Sequence, residues 1–472
     1  MKVIFFYILI LNLIFCDPFD GYTLITKGGT GQDNQNRQTH LIDNNHNIIN
    51  SWNHDYVVAS IAYLTPDSLL YVPSKVPGQG QAGGDISSGG RFKIMNWGGD
   101  IIWEYDLSED ICIPHHDIAV LSNGNILAIC SETKSQEEAS NLGIVDIDGP
   151  MVLDMIVEIE PIGFNEANIV WKWHFWDRLI QDVNPFASNY ANISENPQLM
   201  DINCPTHELG VGGSVGYWNH CNSISYNETY RQIVISSRHM GEFYVIDHST
   251  TIEEAASHSG GVYNRGGDFL YRWGNPQNYN RGSFQILDAQ HRVNWIPQGY
   301  PGAGNFILFN NFHGGASGSS SAVIEIESIM DENGYYPINE TDPYGPISFY
   351  WIYQNSDLFS SFQSGAFRLP NGNTLITSTA QGDVFEVNQF GDIEWEYTGD
   401  FSTATAIKYP LDYFNSLILG DVNEDLQIDI LDVVLLVNMV LGVAESNLYS
   451  DLNEDDFIDI LDVVQLVNLI IS

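Results

Sequence analysis

Short apolar runs alternate with polar turns along most of the chain, and the runs recur in a set form. A strand of Val, Ile, Leu or Phe is followed by a turn holding Asn, Asp or Gly, then by a strand containing Trp or Tyr. The form stands at HLIDNNHNIINSW (40–52), FKIMNWGGDIIWEYD (92–106) and GIVDIDG…NIVWKWHF (143–175). It returns at YVIDHST…GDFLYRWG (244–274), AVIEIES…GPISFYWIY (322–353) and VFEVNQFGDIEWEYTG (384–399). Copies at irregular spacing, with insertions between them, predict a propeller in which each copy is the outer hairpin of a four-stranded blade. The inner strands have their own pattern: LSNGNILAI, RQIVISS, GNFILFN and LPNGNTLIT. Asn-Gly between apolar runs marks a tight turn, since both residues tolerate positive φ. Helical periodicity is nearly absent between residues 17 and 410, apart from a short helix expected around WDRLIQDV. The predicted fold class is all-β, a six-bladed β-propeller over 17–410.

The pattern changes after Pro410. Past a linker expected at 411–419, residues 420–472 hold two near-copies, GDVNEDLQIDILDVVLLVNMVLG and SDLNEDDFIDILDVVQLVNLIIS. Acidic and amide residues at alternate positions lead into an amphipathic helix in each. Asp421, Asn423, Asp425, Asp429 and Asp432 fall at positions 1, 3, 5, 9 and 12 of a calcium loop, with Gln427 at position 7 offering its carbonyl. Asp451, Asn453, Asp455, Asp459 and Asp462 repeat the spacing, with Phe457 at position 7. The duplicated loop–helix resembles the type I dockerin module over its full length. That resemblance implies a small α-helical domain binding Ca²⁺ and a cohesin-type or cell-surface anchoring partner. Position 6, usually Gly for the sharp turn, is Leu426 in one loop and Asp456 in the other.

Composition narrows the setting. The chain has 472 residues, 44% of them hydrophobic, so a substantial core is expected. With 17 Lys+Arg against 60 Asp+Glu the formal net charge is −43, which argues against nucleic acid or an anionic membrane as partner. An anionic substrate would need a local positive pocket. The N-terminal run MKVIFFYILILNLIFC has one Lys and an apolar stretch too short to span a bilayer; it has the shape of a signal peptide over 1–16. LIFC is similar to a lipoprotein box, although Phe15 is bulky where a small residue is expected. No later segment reaches transmembrane length, so a soluble protein exported to the periplasm or the cell surface is expected. Export favours disulfides among Cys112, Cys130, Cys204 and Cys221. Cys204–Cys221 is the expected pair because it would close the Gly-rich loop ELGVGGSVGYWNH, leaving Cys112 and Cys130 to pair across the first hairpin; free thiols are the alternative.

Scarce cations and imidazoles cluster at strand ends. PHHDI places His115, His116 and Asp117 before one strand; NHCNSI places His220 before another. SSRHM ends a third with Arg238 and His239, and DAQHRVNW puts His291 and Arg292 at the start of a fourth. Strand ends in a propeller converge on the central channel, so these residues can share one pocket. A zinc site is the first rival, but an adjacent Arg opposes a cation. An oxyanion such as sulfate or phosphate suits the set better: Arg offers bidentate bonds, and His can donate, take a proton or attack. The segment GQGQAGGDISSGG (78–90) follows no strand–helix pattern and is expected to be a surface loop.

HHDIAVLSNGNIL, WDRLIQD, NHCNSISYN, ISSRH, LYRWGNPQ, QHRVNWIP and PNGNTLI together, in this order from about 40 to 400, resemble the bacterial arylsulfate sulfotransferases. The resemblance implies a six-bladed propeller that moves a sulfuryl group from an aryl sulfate donor to a phenolic acceptor, with no nucleotide donor and no catalytic cofactor. It implies a ping-pong route through a sulfohistidine at His291. Arg238 and His220 would bind and stabilise the sulfuryl oxygens, and His116 would shuttle the aryl oxygen's proton. Asp117 would orient an imidazole or cap the turn, and His115 and His239 would support the others. Arg292 departs from the pattern, where related chains often carry Asp; it would lower the nucleophile's pKa and bind sulfate, or point outward. Thr377 and Thr379 in LITSTAQG are candidates near the channel. The rival functions are a propeller that only binds an anionic or aromatic ligand, and a sulfatase-like hydrolase.

Overall fold

Each recurring hairpin is the outer half of a four-stranded antiparallel sheet, and six such sheets are present. The computed structural model describes residues 17–27, 37–76, 89–145, 147–204, 217–315, 320–399, 403–414, 420–423, 428–444, 450–453 and 457–471. The signal-like segment 1–16 and most of the two Gly-rich stretches, at 77–88 and 205–216, lie outside them.

From the innermost strand outward, blade one is Ala406–Pro410, Gly21–Thr26, Gln38–Ile42 and Ile48–Asn53. Blade two is Tyr63–Leu64, Leu70–Lys75, Gly90–Met95 and Ile101–Asp106; blade three is Ile113–Val120, Ile126–Lys134, Met151–Ile162 and Glu166–His174. Blade four is Cys221–Asn227, Gln232–Ser237, Glu242–Asp247 and Tyr271–Trp273. Blade five is His291–Trp295, Phe306–Asn310, Ala322–Ile326 and Trp351–Gln354, and blade six is Gly365–Arg368, Thr374–Ser378, Asp383–Val387 and Ile393–Thr398. The ring is closed by sequence-distant strands, Gly21 pairing with Pro410 and Ile25 with Ala406.

The tryptophan in each outer strand has a chemical task. Its indole N–H donates to the next blade round the ring: Trp52 to the Asn96 carbonyl, Trp103 to Glu166, Trp273 to Pro346, Trp351 to Gln389 and Trp395 to Asn44. The outer strand of blade three holds two tryptophans: Trp173 donates to the Gly267 carbonyl and Trp171 to the Thr250 hydroxyl. An indole presents a large apolar body with one donor at its edge, which suits a seam between sheets that still has backbone carbonyls to satisfy.

Nearer the channel a second device repeats. An Asn ahead of the second strand bonds a buried Glu on the third, and that Glu meets a basic side chain of the following blade. The chains are Asn125–Glu158–His248, Asn305–Glu325–Arg368 and Asn373–Glu386–Lys408. In the last, Lys408 Nζ lies 2.8 Å from Glu386 Oε2 with both side chains fully buried, on the strand that closes the ring. Glu386→Gln leaves that ammonium without its counter-charge, and breaking one side of a buried pair costs about 3–5 kcal/mol. Thermal unfolding followed by circular dichroism should show the loss, and adding Lys408→Met should recover much of it. A single variant as stable as the parent would contradict the assignment.

Two expectations need correction, and two others take a more specific form. Residues 143–145 and 147–149 are turn and coil, and the third strand of blade three starts only at Met151. In the Asn-Gly turns only glycine takes the left-handed conformation, φ +84° at Gly124 and +92° at Gly372. The Asn side chain instead accepts from the amide two residues on, Asn123 from Asn125 and Asn371 from Asn373, which gives a type I turn with a glycine bulge. WDRLIQDV forms a 3₁₀ turn at Phe175–Arg178 and a short strand, because buried Arg178 is drawn to Asp268 Oδ1 at 2.7 Å and to the carbonyls of Ser257 and Ala255. The linker expected at 411–419 starts packed: Phe414 is buried among Tyr22, Trp97 and Tyr409.

The disulfide Cys204–Cys221 is absent. All four of these cysteines are buried free thiols; Cys204 Sγ contacts Met240 Sδ at 3.4 Å, and Cys221 Sγ faces the Asn219 amide. Beyond the propeller, the helices Ile430–Val440 and Ile460–Ile471 share a small core of Val422, Leu436, Val463 and Leu466.

Candidate active site

Three consecutive inner strands, those of blades three, four and five, pack side by side. Each begins irregularly. The pairing register slips between Pro114 and Ile118, between Cys221 and Ser223, and between His291 and Asn294. At these slips His116, His220 and Arg292 have φ of 57°, 48° and 54°. A left-handed non-glycine residue costs on the order of 1–3 kcal/mol and is concentrated at functional sites. The bulges turn side chains that a regular strand would alternate, so polar groups of neighbouring blades meet at one end of the channel.

His291 Nδ1 lies 2.9 Å from the Ala289 carbonyl and 2.8 Å from Asn311 Oδ1. Both partners are acceptors. The amide of Asn311 is held in that orientation because its Nδ2 donates to the carbonyls of Ser360 and Gln363. Nδ1 therefore carries the proton, and Nε2 keeps its lone pair. Burial, then the Arg238 guanidinium, pulls the His291 ring down to about 3 against the two bonds that favour its charged form. His291 is a neutral imidazole at ordinary pH with a fixed tautomer.

His220 is likewise held well below the usual imidazole range, first by burial and then by the charges of His116, His239 and Arg238. Its ring centroid is 4.8 Å from that of His116, 4.7 Å from His239 and 4.5 Å from Tyr217. Arg238 follows the second strand of blade four; its amide donates to the His220 carbonyl at 3.0 Å, and its charge acts on both His220 and His291. His116, His220, Arg238 and His291 thus come together. The cluster offers one permanent cation, imidazoles that can donate or accept, and one oriented nitrogen lone pair: the equipment for an oxyanion that is to be attacked.

Other candidates have different tasks. Asp117 neither orients an imidazole nor caps its turn. Its carboxylate pairs with Arg292 Nη1 at 2.6 Å and accepts from the Tyr63 hydroxyl and the Ile224 amide. Arg292 in turn reaches Tyr63, so its charge is matched and four blades are tied together. Thr377 Oγ1 accepts from the Ala406 amide and Thr379 Oγ1 donates to the Ala404 carbonyl, joining blade six to the closing strand. His239 Nδ1 donates to the Tyr217 carbonyl.

Sequence reasoning overlooked Asn311, Asp154, Tyr63 and Tyr217. Asp154 left a readable signal, a lone carboxylate inside the apolar run MVLDMIV, where burial of charge is costly without a purpose. It is fully buried, and His115 Nε2 lies 3.0 Å from its Oδ1. Tyr217 sets its hydroxyl 2.8 and 2.9 Å from the two ring nitrogens of His115. Asn311, Tyr63 and Tyr217 sit in ordinary strand or loop contexts that gave no such signal.

The acidic loops of 420–471 fit a cation. Asp432 and Asp462 are fully buried; the first accepts the amides of Asn423 and Asp429, the second those of Leu452, Asn453 and Asp459. Residues 420–472 contain no Lys, Arg or His to balance them. Asp429 and Asp459 each also accept the amide two residues on, at the starts of the helices. Phe457 turns its side chain to solvent, while Asp425, Gln427 and Asp455 lie outside the described residues. Asp421, Asn423 and Asp432, with Asp451, Asn453 and Asp462, would hold hard cations such as Ca²⁺ through oxygen.

No curated protein matches the chain. Among solved structures, a Bacteroides caccae protein of unknown function is 9% identical with a TM-score of 0.43, over 82% of this chain and 98% of that one. The periplasmic gluconolactonase PpgL of Pseudomonas aeruginosa is 12% identical with a TM-score of 0.38, over 81% and 97%. The β-propeller domain of Cps50 (Swd1) from Myceliophteria thermophila is 8% identical with a TM-score of 0.40, over 82% and 88%. Residues 419–471 match the family model of the type I dockerin domain, and residues 29–408 match that of Arylsulfotransferase (ASST). The chain belongs to the arylsulfotransferase family and carries a type I dockerin domain after the propeller.

Proposed function

We propose that the protein is an exported enzyme that moves a sulfuryl group from an aryl sulfate to a phenol by a ping-pong route, with His291 as the nucleophile. The observation that carries the reading is the bonding of His291: Nδ1 donates to Asn311 and Ala289, so a neutral Nε2 presents its lone pair beside Arg238. Nε2 attacks sulfur, the S–O bond to the aryl oxygen breaks, and the electron pair goes to that oxygen. Arg238 and His220 bind the sulfuryl oxygens whose charge grows in the transition state. His116 gives a proton to the leaving oxygen and later takes one from the incoming phenol, as microscopic reversibility requires.

Family membership supports sulfuryl transfer in general, and the dockerin domain supports an extracellular or cell-surface setting with a cohesin-type partner. Among the described residues no helix is long and apolar enough to cross a membrane. Ca²⁺ would belong to the dockerin domain.

Release of 4-nitrophenol from 4-nitrophenyl sulfate, followed with and without added phenol, tests the reading. Steady release that depends on the phenol, with phenyl sulfate accumulating in step, is expected. Steady release without a phenol indicates hydrolysis, and silence across aryl sulfates indicates a propeller that only binds.

A further inference from the structure

We infer that Arg292, Asp117 and Tyr63 are positioning residues, a clamp that holds the three strand bulges at His116, His220 and His291 at one spacing. The inference rests on the sulfuryl-transfer reading and gives a task to a charge pair which that reading leaves unused.

Each bulge contributes to the clamp. The first gives Asp117, whose side chain has no exposed surface; the third gives Arg292, whose side chain is 7% exposed and whose Nη1 lies 2.6 Å from Asp117 Oδ2. From just past the second, the Ile224 amide donates to the same oxygen at 2.9 Å. Tyr63 of blade two closes the set: its hydroxyl donates to Asp117 Oδ1 at 2.7 Å and accepts from Arg292 Nη1 at 2.7 Å. Burial holds the Tyr63 phenol well above its usual range, so it keeps the proton that it gives to Asp117. Burial also opposes the charge of Arg292, but Asp117 and Tyr63 outweigh it and the guanidinium stays charged. Two further bonds join the second bulge to the third. Ser223 Oγ accepts the Val293 amide at 3.0 Å, and Asn222 Nδ2 donates to the Gln290 carbonyl at 2.7 Å.

The bulges need such support. His116, His220 and Arg292 are left-handed, and strained backbone persists only where its surroundings over-determine it. An ion pair out of water is a strong constraint of this kind, because its attraction is little screened and moving one partner strands the charge of the other. Asp117 follows His116 and Arg292 follows His291, so a shift at either reaches the imidazole across one peptide, about 3.8 Å between Cα atoms. The imidazoles themselves stand on different blades. Their separation is therefore set by contacts between blades and not by the folding of any one sheet. Misplacement of reacting groups by about 1 Å can lower a rate on the order of 10²-fold. The clamp thus acts on the transfer step more than on binding of the donor.

The first turnover of 4-nitrophenyl sulfate, without acceptor, tests the clamp. Arg292→Met and Asp117→Asn should each slow the 4-nitrophenol burst at saturating donor on the order of 10²-fold, while the half-saturating donor concentration changes by only about threefold. The double variant should be no slower than the slower single variant, since one open clamp cannot be opened again. A contact from Arg292 to the sulfuryl oxygens predicts instead that Asp117→Asn, which keeps the guanidinium, is spared. The double variant strands no charge and decides if the single variants do not fold. Tyr63→Phe removes one hydroxyl, should slow the burst several fold, and decides if none of the charge variants folds. Parental burst rates in folded variants, whatever their melting temperature, overturn the clamp and leave sulfuryl transfer intact. So does a loss confined to Arg292→Met, or a half-saturating concentration that rises as far as the rate falls. A parent enzyme that releases no phenol from aryl sulfates overturns the reading and the clamp together.

Discussion

His291→Asn abolishes transfer from 4-nitrophenyl sulfate: turnover falls on the order of 10⁴-fold or more, because removal of a covalent nucleophile takes away the reaction route itself. Asn is close to His in size and polarity, so the pocket should still form and bind the donor. Arg238, His220 and His116 stay in place, and the residual rate reports what binding and positioning achieve without a nucleophile. The variant should also lose the exchange of label between an aryl sulfate and its free phenol, which a ping-pong enzyme catalyses without a second acceptor. Retention of that exchange in the variant would mean that another atom accepts the sulfuryl group.

Chelation of calcium should unfold residues 420–471 and leave sulfuryl transfer unchanged. The four-residue core of the two helices is small. Asp432 and Asp462 are buried and accept backbone amides, in a segment with no basic residue. Buried carboxylates with no basic residue to balance them oppose folding until a divalent cation does so, so metal affinity becomes folding free energy, about 10 kcal/mol or more where a site is fully coupled to the fold. Calorimetry with EDTA should show the loss of one transition and the persistence of the propeller's. Helices that survive EDTA unchanged would show that the acidic loops need no metal.

The repeat that announces the propeller is legible because it answers a recurring physical need. Each outer strand must meet the next blade, and an indole supplies both apolar area and one donor, so Trp52, Trp103, Trp273, Trp351 and Trp395 mark the seams in advance. The turns are read less well, since Asn and Gly share the burden unequally: Gly124 takes the strained φ and Asn123 the side-chain bond. The clustering of His116, His220, Arg238 and His291 follows from their places at strand ends. What the strand ends do not reveal is polarity inside the blades. Asn311 is one polar residue among many in the chain, and its value lies in two backbone carbonyls some fifty positions away that turn its oxygen towards His291. The partner of Asp117 was misjudged for the same reason: Arg292, distant in sequence, is nearer than any imidazole. The thiols Cys204 and Cys221 share one apolar cluster without meeting, so loop closure alone was a poor guide to pairing.

The most direct measurement of the central claim is the mass of the protein after mixing with an excess of aryl sulfate in the absence of any phenolic acceptor, followed by peptide mapping under mildly alkaline conditions that preserve phosphoramidate-like N–S bonds. One SO₃ group on the peptide carrying His291, released by added phenol and absent from His291→Asn, is the predicted result. A sulfuryl group on a different residue, or phenol-dependent turnover in which no sulfated enzyme can be trapped and His291→Asn remains active, would contradict it.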